Sequence, residues 1–359
     1  MLRRDLVALF ALAPALAPAA AAAGPRRHRA ADRTTPAGTA AAPDYAERPE
    51  ISAFAEEVAA RRTLPRAWIE AQLARARLVP AVQRLIMPAP ARNGSATAKN
   101  WNAYRDRFVE SERIAAGVAF WRAHEEWLRR AEWRFGVPPE IVVAVLGVET
   151  FYGRITGSFR VIDALATLAF DFPSGRRDRS GFFRAELEEF LAWCAREGLD
   201  PQEPLGSYAG AIGLPQFMPS SINRYGIDFD EDGHVDLRGN PADVVGSVAH
   251  YLAEFGWLRG MPTHFGVEPP AAAEDRALLL APDIVPSFMP AQFAERGARL
   301  DAAGARHGGP LALVELENGG GPLAYFAGTS NFYAVTRYNW SSYYAMAVIL
   351  LAEALRAAR

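Results

Sequence analysis

The chain has 359 residues, of which 50% are hydrophobic and 22% are charged, and its formal net charge at pH 7 is −2. These values are ordinary for a globular protein with room for two or three subdomains around a large core. They exclude the general basic field that nucleic-acid binding requires, so no nucleic-acid partner is expected.

The N-terminus has the three parts of a secretory signal. Arg3 and Arg4 form a positive region, residues 6–17 are apolar, and residues 21–23 offer a small-residue cleavage site. The apolar part is too short and too rich in Ala for a transmembrane helix. The sequence therefore predicts a signal peptide over residues 1–23 and export to the periplasm, by either the general secretory or the twin-arginine route.

Cysteine usage argues against a lipid anchor. Cys194 is the only cysteine, so no internal disulfide can form and no lipid-bearing Cys follows the predicted cleavage site. A soluble protein without a stable membrane anchor is therefore expected. We also expect it to be a monomer. Residues 24–48 are rich in Ala, Pro, Arg and Thr, show no periodicity and are predicted to form a disordered linker.

Helical patterns dominate the chain up to residue 259. They are predicted at residues 51–62, 64–76, 111–135, 138–150, 161–170, 181–197 and 241–255, with a loop at 87–95 and short helices within 206–225. Beyond residue 260, short apolar runs among Pro and Gly predict strands at Leu278–Leu280, Leu311–Leu316 and Leu323–Phe326. The chain ends in an apolar helix, Ser341–Arg356.

The predicted fold class is therefore mainly α with a small β subdomain. Its parts are an N-terminal helical region (49–135), a core (136–259), a β-containing subdomain (260–335) and a C-terminal core helix (336–359).

One carboxyl group follows directly on a long apolar helical run. Pro138 and Pro139 suit the start of a helix, and the residues up to position 148 are almost all apolar, which predicts a helix buried on most sides. Glu149 comes next, with Val145 and Leu146 stacked one turn below it. Desolvation at such a position raises the pKa of a carboxyl group and makes it a candidate general acid. A helix-capping or salt-bridged Glu is the alternative.

An acidic stretch matches the start of an EF-hand calcium loop. Its loop positions 1, 3, 5, 6 and 9 are occupied by Asp228, Asp230, Asp232, Gly233 and Asp236. Gly239 stands where position 12 usually carries Glu, and Asp243, four residues further on, could close a longer loop. We predict a calcium site here, the alternative being a solvated acidic turn.

Two further stretches suit a ligand groove. Residues 206–221 are dense in Gly and small residues, which let the backbone approach a ligand closely, and Gln216 adds a hydrogen-bonding amide. Residues 331–344 interleave aromatic side chains with Asn and Ser, which suits a carbohydrate because rings stack on sugar faces and amides bond hydroxyls. Tight helix packing is the alternative for the first stretch, and core packing for the second.

The motifs together resemble the lytic murein transglycosylase B family. They are the run from Gly136 to Thr150, Asp163–Leu168, the Gly206–Ser221 stretch, the acidic loop and Thr336–Asn339, in the order of the family over about residues 100–355. The resemblance implies a goose-lysozyme-like helical core. It also implies cleavage of the β-1,4 bond between N-acetylmuramic acid and N-acetylglucosamine in the glycan strands of peptidoglycan.

The resemblance also implies roles for particular residues. Glu149 matches the catalytic acid of the family. The positions that match its glycan groove are Tyr104, Ser207, Gln216, Phe217, Met218, Tyr251, Tyr338, Asn339 and Tyr344. The positions that match its structural Ca²⁺ ligands are Asp228, Asp230, Asp232, His234 (through its backbone carbonyl) and Asp243. Asp230 stands where some relatives carry a neutral Ser, which adds negative charge to the loop.

The implied reaction needs one carboxyl group. Glu149 protonates the leaving oxygen and then accepts the proton of the sugar's own C6 hydroxyl, which closes a 1,6-anhydro ring. Glycosidases usually need two carboxylates, and the nearest downstream acids are Asp163 and Asp171. The alternatives are a lysozyme-type muramidase, in which water replaces the C6 hydroxyl, and a non-catalytic, calcium-stabilised peptidoglycan-binding protein.

Overall fold

The computed structural model describes residues 45–88 and 99–359. The predicted signal peptide, residues 24–44 of the predicted linker and residues 89–95 of the predicted loop lie outside this part. The α-helices within it are α1 (Pro49–Arg61), α2 (Arg66–Ala74), α3 (Pro80–Ile86), α4 (Trp101–Arg105), α5 (Ser111–Ala123), α6 (Glu125–Phe135), α7 (Pro139–Thr150), α8 (Val161–Phe170), α9 (Ser180–Glu197), α10 (Pro219–Tyr225), α11 (Pro241–Glu254), α12 (Ala273–Leu280), α13 (Pro290–Glu295), α14 (Ser330–Thr336) and α15 (Ser342–Ala358). The strands are β1 (Phe159–Arg160), β2 (Leu205–Gly206), β3 (His264–Glu268), β4 (Arg299–Leu300), β5 (Ala312–Leu316) and β6 (Ala324–Gly328).

Helix α7 occupies the centre of the helical core. Its side chains from Ile141 to Val148 are all 8% exposed or less, as expected for a helix that is apolar on every side. It packs against α5, α6, α11 and α15. Gly117 of α5 and Gly147 of α7 leave room for the Tyr152 hydroxyl, which a Cβ at either position would strike. Close contact between helices therefore fixes the helix that carries Glu149.

The predicted N-terminal helical region divides between two sides of the core. Helix α3 packs on α8, and Arg62 at the end of α1 forms ion pairs with Glu188 and Glu189 of α9. Helices α5 and α6 instead pack around α7. The predicted linker ends earlier than expected, because Tyr45 is fully buried in a 3₁₀ turn and its hydroxyl donates to Asp171 at 2.9 Å.

The β subdomain is a four-stranded antiparallel sheet with the strand order β4-β3-β6-β5. Its two faces pack against two different cores. Val314 and Phe326 face the helical core, whereas Leu313 and Ala327 pack with Phe293 in a smaller cluster. Side chains alternate between the faces of a strand, so a strand buried on both faces is apolar throughout, as the middle of β5 is.

The predicted fold class, mainly α with a small β subdomain, is confirmed. Most long helices begin and end close to their predicted positions, but the prediction of a strand at Leu278–Leu280 is wrong. These residues end α12, whose first turn carries Glu274 and Asp275 and which buries only Leu279. The predicted helix 111–135 divides at His124 into α5 and α6, and the stretch 206–221 consists mostly of turns before α10.

None of the helices within residues 45–88 and 99–359 has both the length and the apolar character needed to cross a lipid bilayer.

Candidate active site

Glu149 lies in the last turn of α7, half-buried in an apolar setting. The side chains of Val145 and Leu146, one turn earlier, are fully buried. Desolvation disfavours the carboxylate and raises the pKa of Glu149 to about 7, although a hydrogen bond from Tyr344 acts in the opposite direction. A carboxyl group with such a pKa is partly protonated at neutral pH and can both donate and accept a proton.

Tyr344 of α15 is the hydrogen-bond partner of Glu149. Its hydroxyl donates to Oε1 of Glu149 at 2.6 Å, which leaves Oε2 to carry the acidic proton. The ring of Tyr344 stacks on that of Tyr338 with centroids 6.2 Å apart, and the Tyr338 hydroxyl donates to the Pro215 carbonyl at 2.6 Å. The aromatic stretch 331–344 thus reaches both Glu149 and the glycine-rich stretch.

The backbone just after α7 is held in an uncommon conformation. Phe151 and Tyr152 both have positive φ angles, 52° and 58°, in the left-handed region that costs free energy for residues other than Gly. The Thr150 hydroxyl ties this turn to the glycine-rich stretch, because it donates to the Leu214 carbonyl at 2.9 Å and accepts from the amide of Gly153. The end of the helix that carries Glu149 is therefore fixed by its surroundings.

Arg113 supports the same turn from α5. Its Nη1 donates to the Gly147 carbonyl at 2.6 Å, and its guanidinium lies over the Phe151 ring at 4.3 Å. A cation at the C-terminal end of a helix also interacts favourably with the helix dipole. Neither Arg113 nor Thr150 was among the predicted site residues. An Arg beside the apolar stripe of α5 was the available signal for Arg113, but it did not indicate a partner.

A groove of about 470 Å³ contains many of the predicted glycan-site residues. Its lining includes Gln216, Phe217, Met218, Tyr251 and Tyr338. The Gln216 side chain is fixed, since its Nε2 donates to the carbonyls of Gly213 and Thr156. The rings of Phe217, Tyr251 and Tyr338 pack against one another with centroids 5.0 to 5.8 Å apart.

Four of the predicted groove residues lie outside that lining: Tyr104, Ser207, Asn339 and Tyr344, of which Tyr344 bonds Glu149. Ser207 is buried, and its Oγ accepts hydrogen bonds from the amides of Ala209 and Ala211, so it shapes a turn of the glycine-rich stretch. Asn339 is also buried, next to Tyr338 in the turn between α14 and α15. Ser207 therefore supports the backbone of the glycine-rich stretch that forms part of the groove.

Tyr104 is in the lining of a second cavity. Burial raises the pKa of its hydroxyl to about 12, and the nearby charge of Glu149 adds to this effect. Within the described part of the chain, this buried hydroxyl has no hydrogen-bond partner. It is therefore available to bond a ligand that reaches Glu149.

The nearest downstream acids are engaged in ion pairs. Asp163 accepts two hydrogen bonds from the Arg160 guanidinium and one from the amide of Arg77. Asp171 is paired with Arg48 at 2.8 Å and also accepts from Tyr45. Neither of them is a free second carboxylate for Glu149.

The acidic loop brings three carboxylates together. Ligand atoms of Asp228, Asp230 and Asp232 all lie within 4.8 Å of one another. Oδ1 of Asp230 is buried and, among the described residues, lacks a hydrogen-bond partner. Oxygen ligands in this arrangement fit a hard cation such as Ca²⁺.

The other two predicted ligands lie differently. Asp243 is fully buried, outside the group of three, and its two oxygens accept from the amides of Phe229 and Asp236 at 2.7 and 2.8 Å. Burial, with Asp230 and Asp228 nearby, raises the pKa of Asp243 to about 6 despite these bonds. The His234 side chain is exposed, which is consistent with the prediction that only its backbone would bind the metal.

Comparisons with known proteins give the family. Residues 46–353 match the Transglycosylase SLT domain family. The chain is 36% identical to the membrane-bound lytic murein transglycosylase B of Escherichia coli, over 88% of this chain and 85% of that protein.

Two solved structures are similar to this fold. One is the soluble lytic transglycosylase SltB1 from Pseudomonas aeruginosa, with a TM-score of 0.76 and 38% identity over 87% of this chain and 99% of the other. The other is the lytic transglycosylase Slt35 of Escherichia coli in complex with calcium, with a TM-score of 0.74 and 35% identity over 89% of this chain and 96% of the other. The chain therefore belongs to the Transglycosylase SLT domain family and is a lytic murein transglycosylase.

Proposed function

We propose that the enzyme cleaves the β-1,4 bond between N-acetylmuramic acid and N-acetylglucosamine in peptidoglycan and leaves a 1,6-anhydro ring on the muramic acid. The observation that carries this proposal is the setting of Glu149, a desolvated carboxyl group with a pKa of about 7. Asp163 and Asp171 are held in ion pairs, which favours a mechanism with one carboxyl group.

The proton cycle returns Glu149 to its starting state. The protonated carboxyl group donates its proton to the glycosidic oxygen as the bond from that oxygen to C1 breaks. The 2-acetamido group of the muramic acid stabilises the positive charge at C1. The C6 hydroxyl then attacks C1, and Glu149, now ionised, takes up its proton. The attack is intramolecular and benefits from proximity, so neither water nor an enzymic nucleophile is consumed.

The neighbours of Glu149 position it for both steps. Tyr344 bonds Oε1 and fixes the carboxyl plane, which leaves Oε2 for the reacting bond. The partly exposed ring of Tyr338 supplies an apolar face for a sugar and is backed by the buried rings of Phe217 and Tyr251. The carbonyl oxygen of Gln216 is left to accept from a sugar hydroxyl. The closely packed, apolar surroundings limit the access of water, which favours ring closure over hydrolysis.

The acidic loop binds Ca²⁺ for stability. Asp228, Asp230 and Asp232 would hold the ion. The backbone carbonyl of His234 and the carboxylate of Asp243, at the end of the longer loop, would complete the set of ligands. The calcium complex of Slt35 supports the choice of metal. A cation that binds only the folded loop stabilises the whole protein by mass action, and the proton cycle does not use it.

The place of action follows from the substrate and from the predicted export signal. Peptidoglycan lies outside the cytoplasmic membrane, and the enzyme acts there as a soluble periplasmic monomer after cleavage near Ala23. Cell fractionation checks this part of the proposal: full-length protein retained in the membrane after a salt wash would contradict it.

Mass spectrometry of the products from purified sacculi tests the reaction. We expect muropeptides with 1,6-anhydromuramic acid ends. Reducing ends in their place would establish the lysozyme-type muramidase. Binding to sacculi without the release of any product would establish the non-catalytic binding protein.

A further inference from the structure

Arg113 of α5 contacts two separate segments of the chain near the candidate active site. One is the end of α7, which carries Glu149. The other is the turn between α4 and α5, which directly follows the helix of Tyr104. The Arg113 side chain is only 13% exposed. Burying a guanidinium costs free energy unless its donors are bonded, so the groups that it bonds indicate what it holds in place.

The contacts of Arg113 with α7 lie just before and just after Glu149. Its Nη1 donates to the Gly147 carbonyl at 2.6 Å, and this carbonyl also accepts from the amide of Phe151 at 3.2 Å. The guanidinium lies 4.3 Å from the centroid of the Phe151 ring. Phe151 has a φ of 52°, which costs free energy for a residue other than Gly and persists only where the surroundings fix it. Arg113 therefore holds both ends of the backbone segment that has Glu149 at its middle.

Arg113 also bonds the turn that follows α4. Its Nη2 donates to the Arg107 carbonyl at 3.3 Å, and its guanidinium lies 5.5 Å from the centroid of the Phe108 ring. Its Nε lies 3.6 Å from Oε1 of Glu110, the residue that caps α5. The Phe108 ring packs against that of Tyr104 with centroids 5.2 Å apart. One guanidinium thus connects the surroundings of Tyr104 with the end of α7.

Arg154 shows what contact with the Phe151 ring alone involves. Its guanidinium lies 4.4 Å from the centroid of that ring, but its side chain is 55% exposed and donates to Glu112 at 2.9 Å. Within the part of the chain that the structure describes, it makes no bond to the backbone of α7. Arg113 differs because it is buried and bonds a carbonyl of that helix. The connection between the two segments is therefore a property of Arg113.

We propose that Arg113 is a positioning residue for the reaction. It sets the Glu149 carboxyl group and the Tyr104 hydroxyl relative to each other, and it acts through the carbonyls of Gly147 and Arg107. The two groups are near enough for the charge of Glu149 to raise the pKa of Tyr104. This proposal rests on the proposed function. A small displacement of a catalytic group lowers the rate steeply, so the loss of Arg113 should lower kcat far more than it lowers binding.

The test separates kcat from binding in Arg113→Met. We expect kcat on purified sacculi to fall by about 10²-fold, the effect of a misplacement of about 1 Å. Binding to sacculi, measured in the Glu149→Gln background so that no substrate is consumed, should stay close to that without the Arg113 change. At pH 5, well below its pKa of about 7, Glu149 is protonated, and removing a cation cannot lower that pKa. The loss at pH 5 therefore reports geometry and not protonation. Arg154→Met removes a cation over the same ring and is the matched control, which should keep the wild-type kcat.

Arg113→Lys separates the charge of Arg113 from its geometry, and it serves as the test if Arg113→Met does not fold. An ammonium supplies a cation at the same place, but it cannot lie flat on the Phe151 ring and donate in two directions as a planar guanidinium does. We expect kcat to fall by about tenfold, the effect of losing one hydrogen bond of a charged group. All rates are measured far below the melting temperature of each variant, so that unfolding does not contribute.

The outcomes separate this proposal from the proposed function. A folded Arg113→Met variant with the wild-type kcat would overturn it, and so would an equal loss of kcat in Arg154→Met. Full activity of Arg113→Lys would mean that the charge alone matters, and weaker binding with an unchanged kcat would place Arg113 in substrate binding; either result contradicts a positioning role. If the wild-type enzyme releases no anhydro ends, the failure lies in the proposed function itself.

Discussion

At the scale of single residues, Glu149 differs from the buried acids Glu186 and Asp163 in how few hydrogen bonds its carboxyl group accepts. Both oxygens of Glu186 accept from Ser220, and those of Asp163 accept from Arg160. In the described part of the chain, Tyr344 is the hydrogen-bond donor found for Glu149, and it uses one oxygen. Burial raises the pKa of a carboxyl group and hydrogen bonds to the carboxylate lower it, so the single bond from Tyr344 offsets only part of the effect of burial on Glu149.

Replacing Glu149 tests its role directly. Glu149→Gln keeps the shape and the bond from Tyr344 but cannot transfer a proton, so we expect kcat to fall by at least ~10²–10⁴-fold. Release of anhydromuropeptides from sacculi measures the loss, and binding to sacculi should survive. Glu140→Gln, at the other end of the same helix, is the control and should remain active. Near-wild-type activity of a folded Glu149→Gln variant would refute the assignment.

Tyr344 sets the pH range in which Glu149 is protonated. Its hydrogen bond stabilises the carboxylate, so Tyr344→Phe should raise the pKa of Glu149 above about 7. Activity requires the protonated form first and is lost as the pH rises through this pKa. The alkaline limb of the kcat/KM profile should therefore move to higher pH. Tyr325→Phe, which removes a tyrosine–carboxylate bond to Glu315 in the β subdomain, should leave the profile in place.

At the scale of elements, the acidic loop between α10 and α11 concentrates negative charge. Asp228 and Asp232 accept hydrogen bonds from backbone amides within the loop, but the three neighbouring carboxylates still repel one another. The buried, unbonded oxygen of Asp230 adds to the cost. A bound cation would reverse both effects. The stability of the loop should therefore depend on calcium more strongly than the stability of any helix does.

The effect of one substitution on the melting temperature should change sign when calcium is added. In excess chelator, Asp232→Asn relieves repulsion and should melt at or above the wild-type temperature. With calcium at about 100 times its Kd, binding stabilises the wild type by about 2.7 kcal/mol, and the variant should melt several degrees below it. Thermal melts in chelator and in calcium measure this reversal. Glu231→Gln, in the same loop but exposed and paired with Arg130, should respond to calcium as the wild type does. If the melting temperature of the wild type does not change with calcium, the loop is a solvated acidic turn and not a calcium site.

At the scale of the whole molecule, the protonation of Glu149 is coupled to global stability. Helix α7 is buried among α5, α6, α11 and α15, so it is exposed only when the core unfolds. The pKa of Glu149 is raised from 4.5 to about 7 in the folded protein. The folded state therefore binds the proton more tightly, and this contribution is fully present below pH 4.5 and is lost as the pH rises through about 7.

Glu149→Gln should accordingly stabilise the protein at alkaline pH. The free energy of unfolding of the variant minus that of the wild type should rise by about 2 kcal/mol between pH 5 and pH 8. Contributions from other groups, such as Asp243, cancel in this difference. Urea denaturation at the two pH values measures it. A difference that does not change with pH would mean that Glu149 is ionised in the folded protein at both values.

The sequence by itself determined the features that depend on neighbours along the chain. Three local patterns each predicted a role before the fold was known. They are the apolar run of α7 that ends at Glu149, the spacing of the loop acids and the aromatic stretch near Tyr344. The order of these motifs was also sufficient to indicate the family, which the comparisons confirmed.

Only the tertiary structure decided the contacts between residues distant in sequence. Tyr344 bonds Glu149 across 195 positions, and Arg113 reaches Gly147 across 34; neither pairing leaves a local signal. The second cavity, which Tyr104 lines, is likewise assembled from three separate segments around Lys99, Asp283 and Tyr343. A short apolar run has no periodicity that separates strand from helix, so 278–280 could be assigned only through the surfaces that α12 buries. Packing, which acts without regard to separation along the chain, fixed all of these.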